Sequence, residues 1–242
     1  MKLNNRKVLV TGANRGIGLA TVRALLDSGV SKVYAAARQI SSLPDFNDSR
    51  VSALELDITD SKQISAAVEN ADDIDLLINN AGVAAFIGLA DGDAELIRRD
   101  MDVNYFGTLE MVRRFVPVLE QKPAAAIVNV VTIAAFVNFP GLGGYSASKA
   151  ALFSASQGLR IDLASRGIAV HTVNPGPIDT DMARDLDMDK TSPEETARNI
   201  LAGLEAGEAD IFPDAGGRQM FDVWRGNYRD LEKVVYDMHH AA

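Results

Sequence analysis

A chain of 242 residues, 47% hydrophobic and 24% charged, is long enough to bury a sizeable core and too evenly balanced to be disordered or embedded in lipid. Its formal net charge of −9 opposes binding to nucleic acid or an anionic membrane surface, and the absence of cysteine removes disulfides, thiolate metal ligands and thiol nucleophiles. The histidines, His171, His239 and His240, lack metal-site spacing, and the polar residues 1–7 lead into an apolar run too short for a signal peptide or membrane span, so a cytoplasmic protein without a metal is expected.

Short β-rich runs at 7–11, 32–37, 51–57, 74–79, 125–132 and 168–174 alternate with stretches at 16–28, 60–70, 104–119 and 145–165 that are long enough to be crossover helices. Parallel neighbours need such crossovers. The alternation therefore predicts an α/β fold, a Rossmann-type doubly wound parallel sheet with helices on both faces. No linker, charge block or repeat interrupts it, so one domain over 1–242 is expected. Past Pro175 the pattern changes, and 179–242 read as a substrate loop followed by C-terminal helices. Ser192-Pro193-Glu194-Glu195 has the form of a capping box with proline at the first helical position, predicting a helix to about Ala206 that Gly207 ends. A short seventh strand at 210–212 and a helical stretch at 218–238 follow. In the latter Met220, Phe221, Trp224, Tyr228, Leu231 and Val235 recur at helical spacing and are expected in the core.

The first strand runs into Thr11-Gly12-Ala13-Asn14-Arg15-Gly16-Ile17-Gly18, a glycine-spaced turn that opens a helix. Such a turn brings backbone N–H groups and the positive end of a helix dipole close to a pyrophosphate, and its place in the first βαβ unit is the context a dinucleotide fingerprint requires. The second strand ends in Ala35-Ala36-Ala37-Arg38, where an NAD site carries an acid for the ribose 2′-hydroxyl. Arg38 and Arg15 offer guanidinium forks suited to a 2′-phosphate instead, so NADP(H) is the expected cofactor. Further on, Tyr145 and Lys149 stand at i and i+4 on one face of a helix. A lysine charge about 4 Å from the phenol, at an effective dielectric near 20, supplies roughly the 4 kcal/mol that brings a tyrosine toward neutrality. The pair can then act as a general acid–base catalyst.

Thr11 to Gly18 matches the TGxxxGxG turn of the short-chain dehydrogenase/reductase family, and further motifs follow in order over roughly Lys7 to Met182. Asp57, with Ile58, resembles the family acid that accepts from the adenine amino group. Asn79-Asn80-Ala81-Gly82 resembles the NNAG segment that lines the cofactor, and Tyr145-Ser146-Ala147-Ser148-Lys149 the YxxxK pair. Asn104 resembles the asparagine that holds a water between the lysine and solvent, and it also suits a helix cap. Asn174-Pro175-Gly176-Pro177-Ile178-Asp179-Thr180 resembles the segment around the nicotinamide carboxamide, with Ile178 contributing backbone and Thr180 its side chain.

The resemblance implies hydride transfer between NADP(H) and a carbonyl or alcohol carbon. Tyr145 would move the proton, and Lys149 would also bond the nicotinamide ribose. Two departures stand out. Thr132 occupies the place, thirteen residues before the tyrosine, where the family has serine, and the family's glycine-rich ending is not evident around 210–217. The threonine leaves a second reading open, a non-catalytic NADP(H)-binding sensor or scaffold. Ala84, Ala85, Phe86, Ile87, Phe136, Phe139, Leu142, Met182 and Leu186 are expected around the small-molecule substrate, pointing to an apolar or aromatic aldehyde or ketone. The Tyr145 helix carries apolar residues on more than one face, which predicts a homodimer or homotetramer.

Overall fold

The computed structural model describes residues 1–184 and 188–240. Seven strands, β1 (Lys7–Thr11), β2 (Lys32–Ala37), β3 (Val51–Glu55), β4 (Leu76–Asn79), β5 (Ala125–Val130), β6 (Ile168–Val173) and β7 (Asp210–Ile211), form one sheet in the order β3-β2-β1-β4-β5-β6-β7. Every pairing is parallel. Side chains alternate between the faces of a strand, so Val8, Val10, Leu76, Ile78 and Val128 point to one side, where α1 (Gly16–Asp27) and α6 (Pro193–Ala206) bring Val22, Leu25, Ile200 and Leu204. Leu9, Leu77 and Ile127 point to the other, against α2 (Ser61–Asn70), α4 (Thr108–Leu119) and Leu159 of α5 (Gly143–Asp162). This is the doubly wound sheet that the alternation predicts. Strand order reverses between β1 and β4, the switch point at which open sheets take ligands beyond the strands' carboxyl ends.

Five strands are shorter than expected, β6 and β7 by the single residues Asn174 and Phe212. Asp57 lies beyond β3 because its Oδ1 accepts from the backbone N–H and hydroxyl of Thr59, at 2.9 and 2.7 Å, in a local turn. Val131 and Thr132 lie beyond β5, and Ile74 precedes β4. The helix expected from Asn104 starts earlier. α3 (Ala94–Met101), capped by Asp93 on Glu95 N–H, passes through a π-type turn at Asp102–Gly107 into α4. Ser192 caps α6 by accepting from Glu195 N–H at 3.2 Å, and Gly207 ends it with φ +77°, the left-handed conformation glycine adopts freely.

The stretch at 218–238 divides into α7 (Ala215–Gly226) and α8 (Tyr228–His240), because Asn227 between them is extended. Leu231 and Val235 are buried with Val137, and Met220 and Trp224 pack against them. Tyr228 is not core: as the first residue of α8 it faces outward and accepts a hydrogen bond from Arg229. Among the described residues no helix is long and apolar enough to cross a membrane.

Candidate active site

The glycine turn is held by its neighbours. Gly12 and Gly16 have φ of +64° and +53°, which other residues adopt only with strain. A Cβ on Gly18 would lie 2.2 Å from the Gly12 carbonyl oxygen. Asn80 Nδ2 donates to the carbonyls of Thr11 and Gly12, at 3.0 and 3.1 Å, and the backbone N–H groups of Asn80 and Ala81 each donate to Thr11 Oγ1 at 3.0 Å. The NNAG segment thus clamps the turn as well as lining the cleft. No side chain caps the N-terminus of α1, so its orphan N–H groups are left for a ligand.

Above the strand ends opens a cleft of about 1030 Å³. Gly12, Asn14, Arg15, Gly16, Ile17, Arg38, Asp57 and Ile58 line it together with Asn80, Ala81, Gly82, Tyr145, Lys149, Pro175 and Thr180. A glycine cradle that a Cβ would fill, an uncapped helix start and two arginines fit a dinucleotide phosphate chain. Gly18, Asn104, Thr132, Gly176 and Ile178 stand outside this lining, Ile178 being buried and bridged to Thr191. Sequence reasoning missed Gln39, Ser42, Arg99, Asp102 and Val103, which also line the cleft. The last three come from the unrecognised α3 and π-type turn. Arg15 Nη1 lies 3.4 Å from Asp181 Oδ2, both side chains being well exposed, and Asp181 also pairs with Arg184.

α5 presents Tyr145 and Lys149 to this cleft. Lys149 is buried; its Nζ donates to the Val130 carbonyl at 2.8 Å and sits 5.9 Å from the Tyr145 ring centroid. Burial brings the ammonium down to about 8, with Asp100 opposing. Burial pushes the Tyr145 phenol up to about 12, the neighbouring Thr132 hydroxyl counteracts and Asp100 adds to the rise. The expected lowering of Tyr145 by Lys149 is therefore corrected: desolvation dominates, and the ammonium that should counter it is itself desolvated and held to Val130. At neutral pH Tyr145 is a neutral phenol, the form that gives a proton.

Asn104 is fully buried within the π-type turn. Its Oδ1 accepts from Val83 N–H at 2.8 Å, and its Nδ2 donates to the Val83 carbonyl at 2.8 Å and to Ser148 Oγ at 2.9 Å. It braces α5 and is not a helix cap. Thr132 Oγ1 donates to the Pro175 carbonyl at 3.2 Å and accepts from Ala134 N–H at 3.3 Å, capping a short 3-10 turn at Ile133–Ala135. Asp214, which sequence reasoning passed over, accepts from Gly176 N–H at 2.8 Å and Gly217 N–H at 2.7 Å. It ties the Pro175–Gly176 bend to α7. Gly216 and Gly217 follow β7 at the start of α7, and a Cβ on Gly217 would lie 3.0 Å from the Asn174 carbonyl oxygen.

Of the apolar residues expected around a substrate, Met182 lines the cleft. Phe136 instead packs against Phe153, Phe221 and Trp224, with ring centroids 4.8, 5.2 and 5.1 Å away, and Phe139 joins the same cluster under α7 and α8. The C-terminal helices supply aromatic surface that captures both. Ile87 accepts from Gly143 N–H at the start of α5, and Phe86 is exposed. Leu186 lies outside the described residues.

The sequence model of the short chain dehydrogenases matches residues 6–191. A probable short-chain type dehydrogenase/reductase of Helicobacter pylori is 36% identical over 174 residues, 70% of this chain and 64% of that protein. An uncharacterized oxidoreductase of Staphylococcus saprophyticus is 31% identical over 219 residues, 85% of this chain and 93% of that protein. Among solved structures, a short chain dehydrogenase from Burkholderia cenocepacia in complex with NADP superposes with a TM-score of 0.93 at 38% identity, covering 97% of this chain and 99% of that one. The parallel sheet agrees with these likenesses, and the chain belongs to the short-chain dehydrogenase/reductase family of oxidoreductases.

Proposed function

We propose that the protein is an NADP(H)-dependent oxidoreductase that interconverts a carbonyl and an alcohol, working in reduction on an apolar or aromatic aldehyde or ketone. The observation that carries this reading is the convergence of Tyr145 and Lys149 in the same cleft as the glycine turn. Arg15 and Arg38 in its lining, the missing acid after β2 and the NADP bound by the Burkholderia protein favour the 2′-phosphorylated form. When bound, the cofactor supplies or takes the hydride.

The chain's own residues do the rest. The glycine turn and the α1 N-terminus would hold the pyrophosphate, Asp57 and Ile58 the adenine, and Pro175, Gly176, Ile178 and Thr180 the nicotinamide end. Lys149 keeps two donors beyond its bond to Val130, enough to hold a ribose hydroxyl. Tyr145 gives its phenolic proton to the substrate oxygen in reduction and accepts it in oxidation. The Thr132 hydroxyl, turned from Pro175, is the second donor to that oxygen. Asn104 keeps α5 in register and retains one lone pair for a water. Met182, which lines the cleft, is exposed, as is Leu89, which lies over Gly143, two residues before Tyr145; apolar side chains so placed support an apolar substrate. Ile161 on α5, 79% exposed, supports a helix-paired homodimer or homotetramer.

The test is a spectrophotometric screen of aldehydes, ketones and alcohols with NADPH and NADH. NADPH consumption with at least one aromatic carbonyl is expected. Tight NADPH binding with no turnover across the screen would overturn the enzymatic reading in favour of a binding protein.

A further inference from the structure

Asp100, near the end of α3, is a carboxylate to which the proposed reaction gives no part, and it is 1% exposed. Ala85 N–H donates to both of its oxygens, at 3.1 and 3.2 Å. A Cβ on Gly144 would lie 3.2 Å from Oδ2, so the carboxylate rests on the first turn of α5, beside the residue that precedes Tyr145. A side chain at Gly144 would crowd it, and the positive end of the helix dipole favours an anion there. The cations whose fields reach it are Arg99 of its own helix and Lys149 of α5.

We propose that Asp100 is a positioning residue for the Tyr145–Lys149 pair, holding the Ala85 segment against α5 and setting a fixed negative charge beside both groups. The proposal rests on the acid–base reading of that pair. A nearby anion disfavours the phenolate and favours the ammonium, and Asp100 raises both Tyr145 and Lys149. Burial raises Asp100 itself, while Ala85 N–H, Arg99 and Lys149 hold it toward the anion. In the neutral range Asp100 thus adds to the burial that keeps Tyr145 a phenol and opposes the burial that draws the proton from Lys149, favouring the state that reduction uses.

Asp100→Asn tests this, because the amide oxygen still accepts from Ala85 N–H while the charge is lost. The protein is labelled with carbon-13 at the tyrosine phenol carbon, and the Tyr145 signal is assigned by its absence in Tyr145→Phe. Titration followed by NMR should show Tyr145 ionising about one pH unit lower in Asp100→Asn than in the wild type. With a substrate from the screen, the basic limb of reduction, set first by loss of the Lys149 proton, should also move down, and alcohol oxidation at neutral pH should speed up. An unshifted Tyr145 titration in the folded variant overturns the proposal, as does an equal loss in both directions without a shift. Should the asparagine variant fail to fold, Asp100→Ser, a smaller neutral acceptor, is read by the same criteria. If Tyr145→Phe keeps turnover, the acid–base reading fails; if it is inactive and the titration is unshifted, only the role of Asp100 fails.

Discussion

Replacing Thr132 by valine preserves shape and removes a single hydroxyl that has two separable jobs. As a cap, Oγ1 accepts from Ala134 N–H and donates to the Pro175 carbonyl; losing a cap costs about 1 kcal/mol, which in a domain of this size lowers Tm by about 2–4 °C. As a donor to the substrate oxygen, the same group would stabilise charge that develops in the transition state, and losing one such donor costs about 10²–10³ in kcat. Threonine is stiff at χ1, and in the observed rotamer Oγ1 accepts from Ala134 N–H and lies beside Tyr145, so one rotamer serves the cap and, once the single hydroxyl proton turns from the Pro175 carbonyl, the substrate oxygen. Thr132→Ser should keep both and, without the methyl group, accept a wider range of substrates. Thermal unfolding and kcat on the best carbonyl of the screen are measured for wild type, Thr132→Val and Thr132→Ser. If valine lowers Tm by a few degrees while kcat stays within a few-fold of wild type, the hydroxyl is only a cap and the reasoning is refuted.

Tyr145→Phe should nearly abolish turnover with NADPH affinity almost unchanged, since it removes the proton donor and little surface; near-normal kcat would take Tyr145 out of the mechanism. Arg38→Asp should weaken NADPH relative to NADH by roughly the 1.5–3 kcal/mol of a charge-assisted hydrogen bond, read by calorimetric titration of both cofactors. An equal change for the two would contradict a 2′-phosphate contact. Gly18→Ala places a Cβ 2.2 Å from the Gly12 carbonyl oxygen and 2.4 Å from Asn80 Nδ2, so the glycine turn must shift at a cost of about 1–3 kcal/mol. Both cofactors should lose affinity together, and unchanged binding would show that the turn does not touch them.

The sheet was legible because each buried strand is an apolar run bounded by turn residues, and the α6 boundaries because Ser192, Pro193 and Gly207 each have a local backbone reason to be there. α3 was hidden because Ala94–Met101 is short and its buried residue is the acid Asp100, while its apolar side chains are not fully buried. The cleft residues from the glycine turn, the NNAG segment and Tyr145 to Lys149 were legible since their spacing is itself the geometry. Arg99 was not, because α3 itself went unrecognised; Asp100 and Asp214 were not, because what they touch, Ala85 and Gly176, lies 15 and 38 residues away. Phe136 was misplaced for the same reason, since its partners Phe221 and Trp224 belong to a helix whose docking no local pattern announces.

The bend after β6 shows how one segment can be firm at one end and yielding at the other. At Gly176 it is bonded to the buried carboxylate of Asp214, which also fixes α7 through Gly217. At Ile178 it is buried and bridged to Thr191, and Thr180 lies against Gly16 of the glycine turn. The last tie is the Arg15–Asp181 ion pair, with side chains 66% and 48% exposed. Exposed pairs of this kind contribute about 0–1 kcal/mol, less than the 1–3 kcal/mol at stake when a buried carboxylate loses its donors. The Gly176 end of the segment is therefore set by the fold. Arg15 can leave Asp181 for a phosphate at little cost, and since Asp181 has Arg184 as a second partner, that exchange leaves no carboxylate unpaired.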